Sequence, residues 1–309
     1  MKKTWLTIVF LISCFFSPLS ANTAHYFLIS ELGTSAEMIA LGNIEGFSNS
    51  SNSLFENVAG LYRVQRYSAS FFTSEIISEV NYTNLSLAYN TGKGVIAAGY
   101  MSQTIADIIH TDWDNAVNWP IEKSRFSSNR HIIKLGYEYS LSHDLHLGVA
   151  ISQHQNKLHT TTGKGLGLDL GGIYKYKKWT FSGQVKNLSK ENIQYSQSDD
   201  TTYNQIEKLP REMILGVQYR LKNLRLMTQY RLIEDQTLNA IGIRYTPPYL
   251  DFINLVAGIK DQIYLRKVKQ TKTMGLLLNL YGFHIAYSFQ KSDHFEFDNN
   301  TYLSIYLNI

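Results

Sequence analysis

This sequence is poor in cysteine, proline, charge and long apolar runs. Its 309 residues include one cysteine and five prolines, and 17% of them are charged, less than an ordinary soluble domain carries. A single cysteine excludes a scaffold held together by disulfides. The lack of any run of about 18 apolar residues argues against a helical membrane protein. The formal net charge of +4 is too small to indicate a nucleic-acid-binding protein.

Aromatic residues are abundant instead. The chain contains 21 tyrosines, 15 phenylalanines and 4 tryptophans, which is too many for an intrinsically disordered protein. Many tyrosines, little charge and no long apolar run occur together in transmembrane β-barrels, whose strands expose an apolar face to lipid and a polar face to the interior. The composition therefore favours a membrane β-barrel.

The first residues have the pattern of a secretory signal peptide. A basic start at Lys2 is followed by apolar residues 6–16 and by a small residue, Ala21, at a suitable cleavage position. We therefore predict that residues 1–21 are a signal peptide removed after Ala21. A lipoprotein signal is the alternative, because Cys14 follows a short lipobox-like run.

Two regions follow this leader. Residues 22–61 contain short stretches of helical spacing and a polar turn, and they predict an N-terminal plug segment that is partly helical. In residues 62–309 apolar side chains recur at every second position, which predicts a transmembrane β-barrel. Fourteen strands are predicted, at 62–74, 80–90, 93–103, 131–142, 144–155, 165–177, 178–188, 211–221, 223–233, 238–247, 250–260, 271–281, 282–290 and 300–309.

The connections between these segments also predict a barrel. Long gaps at 104–130, 189–210 and 261–270 follow odd-numbered strands, whereas the connections after even-numbered strands are a few residues long. Outer-membrane barrels with an even number of strands have short periplasmic turns and longer outer loops. The predicted fold class is therefore all-β: a transmembrane antiparallel β-barrel of about 14 strands, surrounded by the lipid of the bacterial outer membrane.

The alternation also predicts which side chains face the interior. Within the fourth strand, Ile133 and Leu135 share one face, and Lys134 and Glu138 share the other. A charge facing lipid at the middle of the bilayer would cost about 2–4 kcal/mol, so the charged face points inward. Eight basic residues are predicted to line the lumen in this way. Lys175 and Lys260 are two of them, and the other six are the predicted plug-binding cations of the wall: Lys134, Lys186, Arg220, Arg225, Arg231 and Arg244.

Three short motifs resemble those of one protein family. Residues 35–43 read S-A-E-M-I-A-L-G-N and resemble the family's S-A-x-x-x-A-L-G-x opening. Residues 53–61, which include Asn57 and Gly60, resemble its A-x-x-x-N-P-A-G-L box, with Val58 where the family has proline. Residues 167–174 resemble its G-x-D-L-G-x-x-Y motif. The chain thus resembles the PorV/PorQ-type proteins of the FadL-like outer-membrane β-barrel superfamily.

This resemblance implies a fourteen-stranded barrel whose N-terminal segment folds into the lumen. In FadL such a plug gates the passage of hydrophobic molecules, whereas PorV and PorQ are accessory barrels of a protein-secretion system. Two functions are therefore expected. The first is binding or passing a hydrophobic or amphipathic small molecule. The alternative is an accessory role in secretion or surface assembly, with secretion-system proteins as partners.

An enzyme is a distant third expectation. The chain has no Gly-x-Ser-x-Gly elbow, the turn that presents the nucleophilic serine of α/β-hydrolases. His110, Asp112 and Asp114 have a spacing that could ligate a cation, but no glycine turn or distal glutamate completes a calcium loop. A solvated polar loop is the favoured interpretation of these residues, and no metal or cofactor is predicted.

The basic lumen has two interpretations. In the first, the wall cations hold the plug through its carboxylates Glu37, Glu45 and Glu56, with Asn57 and Gly60 completing the plug site. In the second, they attract an anionic amphipathic ligand. We favour the first interpretation, because buried charges need partners and the plug supplies them.

Overall fold

The computed structural model describes residues 32–76, 80–114, 118–189, 192–197, 204–233, 236–264, 267–291 and 300–309. The predicted signal peptide and residues 22–31 lie outside the described residues, so the cleavage site stays a prediction. Within the described part, one α-helix, α1 (Ala36–Ala40), and two 3-10 helices, Ser51–Leu54 and Val58–Arg63, precede the strands.

The strands follow in chain order and belong to one antiparallel sheet. They are β1 (Tyr67–Ile76), β2 (Val80–Asn90), β3 (Val95–Asp114), β4 (Trp119–Ser140), β5 (Leu145–Leu158), β6 (Thr161–Tyr176), β7 (Trp179–Lys186), β8 (Asn192–Gln197), β9 (Gln205–Lys208), β10 (Glu212–Leu221), β11 (Leu224–Ile233), β12 (Gln236–Tyr245), β13 (Ile253–Tyr264), β14 (Lys267–Leu280), β15 (Phe283–Lys291) and β16 (Asn300–Asn308).

Fourteen of these strands close into a barrel. Each pairs with its neighbours along the chain, β7 pairs with β10, and β1 pairs with β16. The short strands β8 and β9 continue the β7–β10 hairpin beyond the barrel, where β8 pairs with β6. The predicted fourteen-stranded antiparallel barrel is therefore confirmed. Closure gives the backbone groups of every barrel strand a partner, as a membrane-spanning sheet requires.

The barrel begins later than the alternation predicts. Tyr62 was expected in the first strand, but it lies in the 3-10 helix Val58–Arg63, and β1 starts at Tyr67. The reason is local. The Asn57 side chain caps this helix by accepting a hydrogen bond from Ala59 N, and the Tyr62 ring stacks on His146 inside the barrel at 3.6 Å between ring centroids.

The long gaps predicted as loops are mostly strands. The gap at 104–130 is occupied by the ends of β3 and β4, with β-bulges near Ile105 and His110. The gap at 189–210 contains β8 and β9, and that at 261–270 contains the ends of β13 and β14. Above a barrel both faces of a sheet meet water, so the apolar alternation that predicts strands disappears there.

These extensions make one side of the barrel taller than the other. Beyond the barrel, β3, β4, β5, β6, β8 and β9 remain paired in that order, and we call this part the tall sheet. It stands at the extension end of the barrel. The short connections after β2, β4, β6, β10, β12 and β14 lie at the opposite end, which we call the turn end.

The two faces of the wall differ as the alternation predicts. Ile133 and Leu135 on the outer face are each 52% exposed, whereas Lys134 and Glu138 on the inner face are 5% and 1% exposed. The outer apolar band is the surface that a membrane β-barrel presents to lipid. No helix among the described residues is long and apolar enough to cross a membrane.

Replacing Leu135 with lysine tests this surface. A lysine at the centre of the apolar band should lower the free energy of unfolding in lipid vesicles by about 2–4 kcal/mol. The control is Gln155→Lys, on the outer face of β5 nearer the extension end, which should change it by less than about 1 kcal/mol. Equal effects of the two substitutions in guanidinium titrations would contradict the assignment of the lipid-facing band.

Candidate functional site in the barrel lumen

The described N-terminal segment fills the barrel lumen. We call residues 32–64 the plug. Helix α1 follows Ser35, whose Oγ accepts a hydrogen bond from Met38 N at 3.1 Å. Ser50 and Asn57 cap the two 3-10 helices in the same way. Such caps satisfy N–H groups at the starts of helices, which matters here because the segment is buried and joins no sheet.

A belt of wall glycines lets the plug approach the barrel backbone. A Cβ atom on Gly258 would lie 2.4 Å from Gly42 N, and one on Gly171 would lie 2.0 Å from Asn57 Oδ1. Any larger residue would displace the plug. The glycine belt consists of eight inward-facing residues on eight strands: Gly99, Gly136, Gly148, Gly171, Gly216, Gly242, Gly258 and Gly275.

Asn57 fastens the middle of the plug to the wall. Its Nδ2 donates to Ser182 Oγ at 2.9 Å and lies 3.2 Å from Gly183 O, while its Oδ1 accepts from Ala59 N. Gly60 has a different role, because a Cβ atom there would lie 3.0 Å from Ser53 Oγ and separate the two 3-10 helices.

Glu45 is the most heavily bonded carboxylate of the plug. Its Oε2 lies 2.6 Å from Lys186 Nζ and accepts a hydrogen bond from Gln184 Nε2 at 2.6 Å, and its Oε1 accepts from Arg231 Nη2. Burial alone would raise the pKa of the Glu45 carboxyl, but the charges of Lys186 and Arg231 outweigh burial and lower this pKa below its ordinary value. Glu45 is therefore ionised and joins the plug to β7 and β11.

Glu37 forms the second ion pair between plug and wall. Its Oε1 accepts a hydrogen bond from Arg244 Nη2 on β12. Its Oε2 accepts from the Tyr306 hydroxyl on β16 at 3.1 Å. The start of the plug is thus bound to two distant parts of the wall.

Glu56 is buried without a cation. Its Oε1 accepts from Asn52 Nδ2 at 2.9 Å and its Oε2 from Gly46 N at 3.2 Å, and no ion pair involves it in the described part of the chain. Burial, with smaller contributions from the negative charges of Glu45 and Glu37, raises the pKa of Glu56 to about 8. Glu56 therefore holds a proton at neutral pH.

Three of the six predicted wall cations meet plug carboxylates, namely Lys186, Arg231 and Arg244. Lys134 instead pairs with the wall residue Asp169 at 2.5 Å, and its Nζ lies 5.9 Å from the centre of the Phe55 ring. The strand between them carries small side chains at this level, Ala150 and Ser152, over which the lysine reaches.

Arg220 and Arg225 are the remaining two predicted cations. They lie on the inner face next to the β10–β11 turn, near the turn end, where Glu37 of the plug attracts Arg225. No ion pair joins either to a carboxylate among the residues described.

Sequence reasoning missed the neutral partners of the plug. Gln229 on β11 accepts a hydrogen bond from Glu45 N at 2.7 Å and donates to Asn43 O at 3.1 Å. Asn84 on β2 donates to Thr34 O at 2.8 Å. Inward-facing glycines were the available signal, because a strand interior seldom carries glycine unless another backbone approaches it closely.

Plug and wall are packed closely. Two cavities border the plug within the lumen, and their volumes are about 30 and 10 Å³, enough for single water molecules. A larger cavity of about 420 Å³ opens at the turn end beside Tyr62, Asn90 and Glu138. Passage through the described part of the lumen would therefore require the plug to move.

One polar cluster in the wall has the residue types of a catalytic triad but not its geometry. Ser140 Oγ lies 2.7 Å from both Glu138 Oε1 and His146 Nδ1. A triad needs the serine and the carboxylate on opposite nitrogens of the imidazole, whereas here His146 Nδ1 is also the nitrogen nearest Glu138, at 3.5 Å. No group of three or more potential metal ligands occurs within the described ranges.

The fold is similar to those of solved channel proteins. The Pseudomonas putida toluene transporter TodX has a TM-score of 0.61 and 12% identity, covering 90% of this chain and 99% of that one. The monoaromatic hydrocarbon channel CymD has a TM-score of 0.59 and 11% identity, covering 90% and 98%. A Pseudomonas aeruginosa FadL homologue has a TM-score of 0.53 and 10% identity, covering 89% and 98%.

These likenesses show that the chain has the barrel fold of these proteins. No protein-family model matches the chain, and no curated protein matches its sequence. The fold and the plug together are therefore the basis for a functional proposal.

Adding one methyl group to the glycine belt should disturb the plug. In Gly258→Ala the new Cβ would overlap Gly42 N, and we expect a loss of about 1–3 kcal/mol in the free energy of unfolding with faster hydrogen exchange in the plug. The control is Gly183→Ala, whose Cβ would lie 3.6 Å from Leu215 Cδ2. Unchanged plug protection in Gly258→Ala would contradict the close approach.

Protonation of Glu56 should make stability depend on pH. Its folded-state pKa of about 8 lies above the ordinary 4.5, so the stabilisation is complete at low pH and is lost as pH rises from about 4.5 to about 8, by at most about 1.4 kcal/mol per unit. Glu56→Gln should remove this part of the pH dependence and stabilise the protein at pH 8.5. The free energy of unfolding of both proteins is measured by chemical denaturation between pH 5.5 and 8.5. If it depends on pH in the same way in both, Glu56 is not protonated.

Proposed function

We propose that this protein is a bacterial outer-membrane barrel that binds or passes a hydrophobic or amphipathic small molecule, with the plug as its closure. The observation that carries the proposal is a plug bound by two buried ion-pair sites, at Glu37 and Glu45, in a barrel with the fold of hydrocarbon channels. Outer-membrane barrels have short turns on the periplasmic side, so in this proposal the turn end faces the periplasm and the tall sheet faces the outside of the cell. The predicted signal peptide, removed after Ala21, would direct export.

The wall cations act in this proposal through the plug. Lys186, Arg231 and Arg244 form buried ion pairs with Glu45 and Glu37. These ion pairs hold the plug in the lumen and so keep the barrel closed. Asn57 fastens the plug to Ser182 on β7, and Gly60 lets the two 3-10 helices of the plug lie close together. The chemistry required is binding and conduction, and it uses no catalytic group or cofactor.

A second candidate function is the accessory role of a PorV/PorQ-type barrel, acting through secretion-system proteins. The tall sheet favours it, because this sheet presents large apolar side chains to solvent. Trp113 and Trp119 at the tip of the β3–β4 hairpin are 56% and 69% exposed, and Ile109 and Ile121 are exposed beside them. Exposed apolar patches of this kind mark protein or membrane contacts.

Locking the plug tests the first function. Ser51 Oγ in the plug lies 2.9 Å from Ser70 Oγ on β1, so Ser51→Cys/Ser70→Cys should form a disulfide between them. In a host without its own channel for hydrophobic compounds, the wild type should increase uptake of a monoaromatic hydrocarbon. The oxidised double variant should not, and reductant should restore uptake.

The single variants Ser51→Cys and Ser70→Cys are the controls, because neither can form the lock. Uptake by the oxidised double variant equal to that by the wild type would refute a moving plug, and no uptake by the wild type would refute the conduit.

Shortening the tall sheet tests the second function. In the native host, residues 106–127 are replaced by Asn-Gly, which joins β3 to β4 just above the last regular pair, Ile105 and Ser128. An accessory role predicts less surface protein released at unchanged hydrocarbon uptake. Unchanged release would refute that role for the tall sheet.

A further inference from the structure

A row of arginines crosses the inner wall at the turn end. Arg220 on β10 lies directly opposite Arg225 on β11, and Arg225 lies directly opposite Arg244 on β12. We call these three residues the arginine row. Lys178 continues it on the other side, since Arg220 N donates to Lys178 O at 2.9 Å. Arg63 of the plug interacts electrostatically with both Arg225 and Arg244.

The row holds more positive charge than the described structure neutralises. Side chains directly opposite each other on neighbouring strands have Cβ atoms about 5 Å apart, and like charges there repel. Glu37 forms an ion pair with Arg244 and attracts Arg225 from a longer distance, so its single charge is shared between them. Neither Arg220 nor Arg225 forms an ion pair in the described ranges, and Arg244 Nε is buried without a hydrogen-bond partner there.

Exposure changes along the row in one direction. Arg220 is exposed at the rim, Arg225 is half-buried, and Arg244 is 9% exposed. If the arginines of the row interacted only with water, all three would be expected to lie in solvent at the rim. An anion could enter from the rim and reach donors that water reaches less easily, where charge-assisted hydrogen bonds are stronger.

We propose that the arginine row binds a dianionic phosphate group that enters from the turn end. Guanidinium groups present paired N–H donors that match phosphate oxygens in a two-pronged geometry. The unneutralised charges of Arg220 and Arg225 match a dianion, whereas a single carboxylate would leave one of them without a counter-charge. Lys178 adds a point charge at the rim.

The phosphate group has two sources. It is either free phosphate or a phosphate monoester in solution, or the headgroup of phosphatidic acid in the leaflet at the turn end, whose monoester phosphate can also carry two negative charges. Neither source requires that a hydrophobic molecule passes the plug, so the site is independent of the proposed conduit.

Phosphate binding to the full-length barrel in a neutral maltoside detergent tests the site. Inorganic phosphate is titrated calorimetrically at constant ionic strength into the wild type, Arg220→Gln/Arg225→Gln and a control, Lys157→Gln/Lys164→Gln. The control removes two exposed charges from the outer face near the extension end. In a second arm, each protein is extracted from nanodiscs containing phosphatidic acid or phosphatidylcholine, and retained lipid is measured by native mass spectrometry.

We expect the arginine variant to bind phosphate at least about tenfold more weakly than the wild type and the control. If the lipid headgroup is the source, the same difference appears as lost retention of phosphatidic acid, whereas retention of phosphatidylcholine stays the same. Equal binding by all three proteins, an equal loss in the control, or no binding of either anion by the wild type would overturn the proposal. No hydrocarbon is present, so failure here leaves the conduit untouched.

Stability provides an independent readout. Without phosphate, Arg220→Gln/Arg225→Gln should unfold at the same or a higher temperature than the wild type, because it removes like-charge repulsion. Phosphate should raise the unfolding temperatures of the wild type and of Lys157→Gln/Lys164→Gln, but not that of Arg220→Gln/Arg225→Gln. Arg220→Lys/Arg225→Lys keeps the charge but loses the planar fork, and it should bind more weakly than the wild type with an unchanged fold. Wild-type affinity in this lysine variant would also overturn the site.

Discussion

Three carboxylates buried in a lumen with little room for water determine how plug and barrel fit together. Glu45 is ionised between Lys186 and Arg231, Glu37 pairs with Arg244, and Glu56 keeps its proton among neutral donors. Removing one partner of a buried ion pair costs about 3–5 kcal/mol. Strand register positions the cations and the plug path positions the acids, so neither can shift without the other.

The glycine belt makes this charge pairing possible. Ion pairs inside a barrel need the plug close to the wall, and a side chain on every inward position would hold it away. At Gly258 and Gly171 the plug occupies the space of a Cβ atom, and the caps at Ser35, Ser50 and Asn57 satisfy N–H groups that the sheet does not reach. Wall and plug thus have complementary backbones as well as complementary charges.

Alternation predicted the barrel, its strand number and its two faces, because one face meets lipid and the other the lumen. It failed wherever that contrast ends. The sequence predicts a loop for the ends of β3 and β4, because both faces of these strand ends meet water and show no apolar alternation. It predicts a strand at Tyr62, where a side-chain cap forms a 3-10 helix instead. The alternation also predicted correctly that Lys134 faces the interior. It could not predict the partner of Lys134, because Asp169 lies two strands away and the alternation within one strand carries no information about contacts with another.

The contacts that hold the plug are distributed unequally around the barrel. On the side of β7, β11 and β12 the plug is held by the ion pairs of Glu37 and Glu45. Breaking both sites would cost about 6–10 kcal/mol, at about 3–5 kcal/mol for each. The 3-10 helix Ser51–Leu54 contacts β1 to β4 instead. There it is held by neutral hydrogen bonds such as Ser51 Oγ to Ser86 O, each contributing about 1 kcal/mol, and by the fully buried Leu54 side chain, which contributes about 1.5–3 kcal/mol. The plug is therefore bound through charged groups on the side of β7, β11 and β12 and through neutral groups on the side of β1–β4.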